Sequence, residues 1–218
     1  TQTTKTQTTT TNNKSKRKKE EARGPCGLKK KKERMIVDPK NFQVVHGYVI
    51  AVGLVLGVMV WSPGTLFTYH PLFMVLGYGL LMTEGILASR YIKSRERKSS
   101  IKLHVNLQLA GYFLALLGFL VIVYNKYSRE RPHFQSYHSL LGLFGFLGTT
   151  AQVAVGVAIY YLRPALLKKY GVSFVIKVGR LHAFSGNITH GLSMGSMALG
   201  FLSNWSYATF LSDPVIFG

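Results

Sequence analysis

Five long apolar stretches dominate the chain, at roughly 44–61, 66–90, 102–125, 137–162 and 178–202. A helix needs about 20 apolar residues to cross a hydrocarbon core of about 30 Å, and each stretch is close to that length or beyond it. Hydrocarbon offers backbone groups no hydrogen-bond partner, so a stretch that spans must be helical. Buried helices of a soluble protein are a poor alternative, because no amphipathic segments remain to cover five of them. The expected fold is an all-α integral membrane bundle of five spans.

The charge agrees with that division. The 218 residues are 47% hydrophobic yet carry a formal charge of +19, which is compatible only if the charge lies outside the spans. Residues 1–34 hold 12 of the 27 Lys and Arg against three Glu. That segment is rich in Thr, Lys and Asn, lacks apolar periodicity and reads as disordered. The run Lys29-Lys30-Lys31-Lys32 is a weak nucleic-acid signal. A solvated tail beside an anionic membrane face accounts for it better, and no nucleic-acid partner is expected. The chain starts at Thr1 and its first Met is Met35. Residues 1–34 therefore read either as a native tail or as non-native sequence upstream of the start, and the expected division is a basic tail over 1–43 and a transmembrane domain over 44–218. Cys26 is the only cysteine, so neither a disulfide framework nor thioether attachment of haem is expected.

The connections set the orientation. Between the second and third spans lie Arg90, Lys93, Arg95, Arg97, Lys98 and Lys102; between the fourth and fifth lie Arg163, Lys168, Lys169, Lys177 and Arg180. Residues 62–65 and 203–218 have no Lys or Arg, and 126–136 has three. The positive-inside rule then places the N-terminus and the two basic connections in the cytosol. Asp213-Pro214 reads as a turn toward a further helix that this chain lacks.

Within this frame four histidines alternate in depth. His70, His104, His138 and His182 are separated by 34, 34 and 44 residues, each near the start of an apolar stretch. His70 and His138 fall at the non-cytosolic face, His104 and His182 at the cytosolic one. A lone histidine at a membrane edge is ordinarily interfacial. Four at alternating depth are harder to dismiss, since a buried imidazole needs partners and facing helices of a bundle are where cofactor ligands are built. Two pairs of nitrogen ligands at opposite faces match two stacked b-type haems. Gly77, Gly79, Gly111, Gly142, Gly145 and Gly186 follow these histidines and permit close approach of a planar group, although glycine is also common where spans pack together.

The other polar residues divide less cleanly. Glu84 is the only acidic residue within any span, and an intramembrane carboxylate is a functional candidate by default. Its bland alternative is a pair with Lys102 or Arg180. His46 reads as interfacial, His133 as a residue of the outer connection, and His190 as a spare ligand, a hydrogen-bond partner or, by preference, a packed polar residue at mid-bilayer depth. A haem-free proton-coupled transporter using Glu84, His190, Asn106 and Gln108 stays open. A di-iron hydroxylase would need clustered histidine boxes, and the seven histidines form none. A tether acting through the basic tail would not need the span histidines.

Several short motifs together resemble the cytochrome b561 family: Tyr69-His70-Pro71-Leu72 with Leu81-Met82-Thr83-Glu84, Lys102-Leu103-His104 with Gln108, His133-Phe134-Gln135-Ser136-Tyr137-His138, and Leu181-His182-Ala183-Phe184-Ser185-Gly186. The resemblance covers about 44–218. It implies six helices in the complete fold, of which the sixth is missing here, and two haem b groups, held by His70 with His138 and by His104 with His182. It further implies electron transfer from cytosolic ascorbate to monodehydroascorbate or ferric chelates across the membrane. Lys98 and Lys102 match positions that hold ascorbate, and His133 and Phe134 match a region at the outer haem edge. An endomembrane location, in the endoplasmic reticulum or vesicles, and a homodimer are also implied. Leu87-Ala88-Ser89-Arg90-Tyr91 resembles the family's ascorbate-associated motif only loosely, so the donor is less firmly indicated than the haems.

Overall fold

A computed structural model describes residues 39–61, 64–90 and 97–203. Most of the basic tail, residues 91–96 of the connection between the second and third spans, and the turn at Asp213 lie outside them. Five long helical elements follow one another: α1 (Pro39–Met59), α2 (Leu66–Arg90), α3 (Arg97–Tyr127), α4 (Tyr137–Tyr161) and α5 (Arg163–Phe201). The first four are long and apolar enough to cross a membrane, so the chain is an integral membrane protein. α5 is long enough but less apolar, because Ser185, Asn187, Thr189, His190, Ser193 and Ser196 interrupt its hydrophobic run. Much of that polarity is turned inward. Ser185 meets Gln152, Thr189 lies over Gly148 and Ser193 over Gly145.

One expectation is corrected. The basic residues from Arg163 to Arg180 belong to helix, not to a loop between the fourth and fifth spans. Leu162 alone separates α4 from α5, with Pro164 in the first turn, where its missing N–H costs nothing. α5 bends at Gly171, where φ is 78°, a left-handed conformation that glycine adopts without strain. Hydropathy ended the span at the first charges, but charge does not stop a helix that has left the membrane.

Neighbouring helices run antiparallel. On α1 and α2, Gly53 faces Leu80 and Gly57 faces Leu76. On α2 and α3, a Cβ at Gly77 would lie 2.8 Å from the carbonyl oxygen of Gly111, so the two backbones touch there. On α4 and α5, a Cβ at Gly145 would lie 2.6 Å from Ser193 Oγ. Small residues thus do what hydrophobic collapse cannot do between spans in lipid: they let backbones approach and gain dispersion contact. Tyr78, Met82 and Ala115 form the buried centre, flanked by Met74, Tyr112 and Met194.

α2 is not a uniform α-helix. Val75–Met82 is wound as a π-helix between the α-helical segments Tyr69–Met74 and Thr83–Arg90. Such segments are rare and are often found at functional sites. The Thr83 hydroxyl donates to the Tyr78 carbonyl at 3.0 Å, satisfying an acceptor of that irregular ladder.

Candidate functional site at the two ends of the bundle

His70 begins α2 and His138 begins α4, and antiparallel packing brings them to the same end. Their ring centroids are 6.2 Å apart with planes at 79°. His70 Nδ1 lies 2.9 Å from the carbonyl oxygen of Gly118 on α3. His138 Nδ1 lies 2.7 Å from the carbonyl oxygen of Ser196 on α5. A carbonyl only accepts, so both Nδ1 atoms carry the proton and each Nε2 keeps its lone pair. That tautomer is the one a metal-ligating imidazole adopts when its other nitrogen is oriented by a backbone carbonyl.

The spacing can be checked against a shared ion. An imidazole centroid lies about 1.1 Å from its nitrogen and metal–nitrogen bonds are about 2.0–2.1 Å. Two imidazoles on opposite sides of one ion then have centroids about 6.3 Å apart, close to the distance here. A cavity of about 290 Å³ opens between these helices, lined by both histidines with Tyr78, Phe119, Phe134 and Met197. Its lining is mainly apolar, as a macrocycle requires. Among the described residues no three of His, Cys, Asp and Glu gather around a bare ion. A haem brings four ligands of its own and needs only two from the chain. The residues at this end fit the group.

The opposite end carries His104 and His182. His104 Nδ1 lies 2.8 Å from the carbonyl oxygen of Gly85 on α2, again leaving Nε2 free to bind. His182 is within electrostatic reach of His104. Its Nδ1 is buried and has no hydrogen-bond partner among the described residues. A Cβ at Gly156 on α4 would come within 3.2 Å of the His182 ring, so glycine leaves the imidazole its room. The chain fixes the tautomer of His104 but not that of His182.

His133 and Phe134 line the same cavity as His70 and His138, together with Lys126. Their segment is held by a hydrogen bond from Lys126 Nζ to the Pro132 carbonyl at 3.0 Å, by left-handed backbone at Glu130 and Phe134, and by the reciprocal Ser136–Ser139 cap of α4. Lys98 and Lys102 are exposed on the first turns of α3, at the end that carries His104.

One alternative is corrected and another is chosen. Glu84 is buried, and its carboxylate meets His46 Nδ1 on α1 instead of Lys102 or Arg180. The reason is depth, since antiparallel packing of α1 on α2 sets residue 46 beside residue 84. His190 is a hydrogen-bond partner, one of the alternatives open for it: its Nε2 lies 3.3 Å from Thr83 Oγ1 on α2. The Thr83 hydroxyl already donates to Tyr78, so His190 is the donor. The carbonyls of Gly85, Gly118 and Ser196 were invisible to sequence reading, because a backbone acceptor has no residue signature.

Comparison with known proteins meets the same residues. The family model "Eukaryotic cytochrome b561" matches residues 69–207. The chain is 33% identical over 168 residues to the transmembrane reductase CYB561D2 of Bos taurus, covering 74% of this chain and 73% of that protein. It is 35% identical over 119 residues to the probable transmembrane reductase CYB561D1 of Mus musculus, covering 52% of each. It is 29% identical over 169 residues to the transmembrane ascorbate-dependent reductase CYB561 of Sus scrofa, covering 73% of this chain and 64% of that protein. A helical membrane bundle with two histidines facing one another at one end and two within electrostatic reach at the other, matched by that family model across four of its helices, belongs to the eukaryotic cytochrome b561 family.

Proposed function

We propose that this chain conducts electrons across the membrane through two haem b groups, one held by His70 and His138, the other by His104 and His182. Family membership makes it a membrane oxidoreductase with b-type haem. The count of two and the ligand assignment are supported chiefly by one observation. His70 and His138 face each other at 6.2 Å with both Nε2 lone pairs available. A haem held by these histidines would supply one-electron redox chemistry.

The chain's own residues do the rest. Gly118, Ser196 and Gly85 orient three of the imidazoles through their carbonyls. Apolar side chains of α2, α3 and α4 exclude water from the outer cavity. The donor is read as ascorbate, a monoanion that Lys98 and Lys102 would attract at the cytosolic end. The reading draws support from a relative whose name is ascorbate-dependent reductase. The acceptor is read as monodehydroascorbate or a ferric chelate, docking beside His133 and Phe134. The N-terminus is assigned to the cytosol by the positive-inside rule, and the membrane to the endomembrane system. A homodimer completes the reading.

A reduced-minus-oxidised spectrum of the purified chain tests it, with ascorbate as reductant and haem quantified. The expected result is a b-type signal at about two haems per chain, halved by His70→Ala and by His104→Ala. Haem reduced by dithionite but not by ascorbate would remove ascorbate as donor. A chain without haem would overturn the proposal in favour of the transporter that Glu84 and His190 would serve.

A further inference from the structure

Glu84 is the only acidic residue in the five apolar stretches and is 5% exposed. One carboxylate oxygen meets His46 Nδ1; the other, Oε1, is buried without a hydrogen-bond partner among the described residues. The His46 side chain is 45% exposed and its ring stacks on Phe42 at 5.5 Å. One end of the pair is therefore sealed in the bundle and the other is open. With Nδ1 turned to the carboxylate, Nε2 is the nitrogen that an incoming proton can reach.

The pair is also tied to the cytosolic end of the proposed wire. Glu84 directly precedes Gly85, whose carbonyl accepts from His104 Nδ1 at 2.8 Å. Gln108 on α3 donates to the Met82 carbonyl at 3.0 Å, holding the same stretch from the other side. Of the elements packed here, α1 presents His46, α3 presents His104, and α5 presents His190, which is bonded to Thr83. The cations Lys102 and Arg90 are exposed, Arg90 donating to Asn187. The segment linking the acid to the His104 site is thus short and fixed.

We infer that His46 and Glu84 form a proton-binding site whose occupancy follows the redox state of the group held beside His104. The inference rests on the dihaem reading above. When that end gains an electron from ascorbate, the local charge falls by one. The pair answers by taking one proton from the cytosolic solution onto His46 Nε2, moving from −1 to neutral. No other reactant is consumed, and the proton leaves when the electron passes outward. A unit charge about 10 Å away, one interhelical distance, in an effective dielectric of about 20 changes proton affinity about 15-fold. By linkage the cytosolic haem potential then falls by about 70 mV from the acid to the alkaline limit, a tenfold change being 59 mV for one electron.

The test is spectroelectrochemical titration of the whole chain in lipid nanodiscs across pH, resolving the two haems. Wild type should show the fall at the cytosolic haem, and Glu84→Gln and His46→Gln should each remove most of it. The outer haem should titrate alike in all three. Leu80→Ala loosens α1 from α2 at Gly53 without touching the pair, and it should keep the fall; this separates proton binding from a merely structural role. An unchanged pH dependence in both pair variants overturns the inference while leaving the dihaem wire intact. Haem-free protein overturns both.

Discussion

Gly77→Ala should destabilise the protein even though alanine is the better helix former. The added Cβ would lie 2.8 Å from the Gly111 carbonyl oxygen and 3.2 Å from the Ala115 nitrogen. Both are backbone atoms on α3, so no rotamer change relieves them. A carbon–oxygen contact settles near 3.3 Å or beyond, so α2 and α3 must part by about half an ångström. Overpacking of this kind costs about 1–3 kcal/mol, against a propensity gain of about 1 kcal/mol or less, since Gly77 lies in the π segment. The net expectation is a loss of about 1–2 kcal/mol. The control is Gly179→Ala on α5, where nothing lies within 4 Å of the new Cβ. That change should be neutral or stabilising by up to about 1 kcal/mol. The two variants should separate by about 2 kcal/mol in denaturing-detergent titrations followed by tryptophan fluorescence. Because the Gly77 contact lies between the His70–Gly118 and His104–Gly85 bonds, haem occupancy should fall at both ends in Gly77→Ala. If Gly77→Ala proved as stable as Gly179→Ala, the close backbone approach of α2 and α3 would be refuted.

Tyr78→Phe removes a buried hydrogen bond of 3.2 Å to Thr149 Oγ1, so the same titration should show a loss of about 0.5–1.5 kcal/mol; no loss would mean that the bond contributes nothing in the membrane. Lys98→Gln with Lys102→Gln should raise the KM for ascorbate several-fold while leaving haem content unchanged, as steady-state reduction and pyridine haemochrome assays would report; an unaltered KM would remove the lysines from the donor site. A glycosylation acceptor engineered into 91–96 should stay unmodified in microsomes, because that connection is assigned to the cytosol. Modification there would invert the topology and exchange the two ends.

The helical membrane fold, the five long helices and family membership were legible in the chain itself. Hydropathy over about 20 residues is a local property, and so is a histidine's place along an apolar stretch. The family motifs are likewise runs of adjacent residues, so they could be read without coordinates. Other features depend on how far each helix is rotated and where it crosses its neighbour, and no linear pattern encodes those. Charge and depth offered Lys102 or Arg180 as the bland alternative partner of Glu84, yet antiparallel packing of α1 delivers His46. The basic stretch after Leu162 looked like a loop because hydropathy reports the membrane boundary, whereas helix continues to Gly171 and bends there. Only the tertiary structure could decide which carbonyls accept from His70, His104 and His138, because those acceptors belong to backbone on other helices. The sequence thus determined which stretches are helical and apolar and where each histidine lies along them, and packing determined which residues meet, since position is set along one helix and contact is set between two.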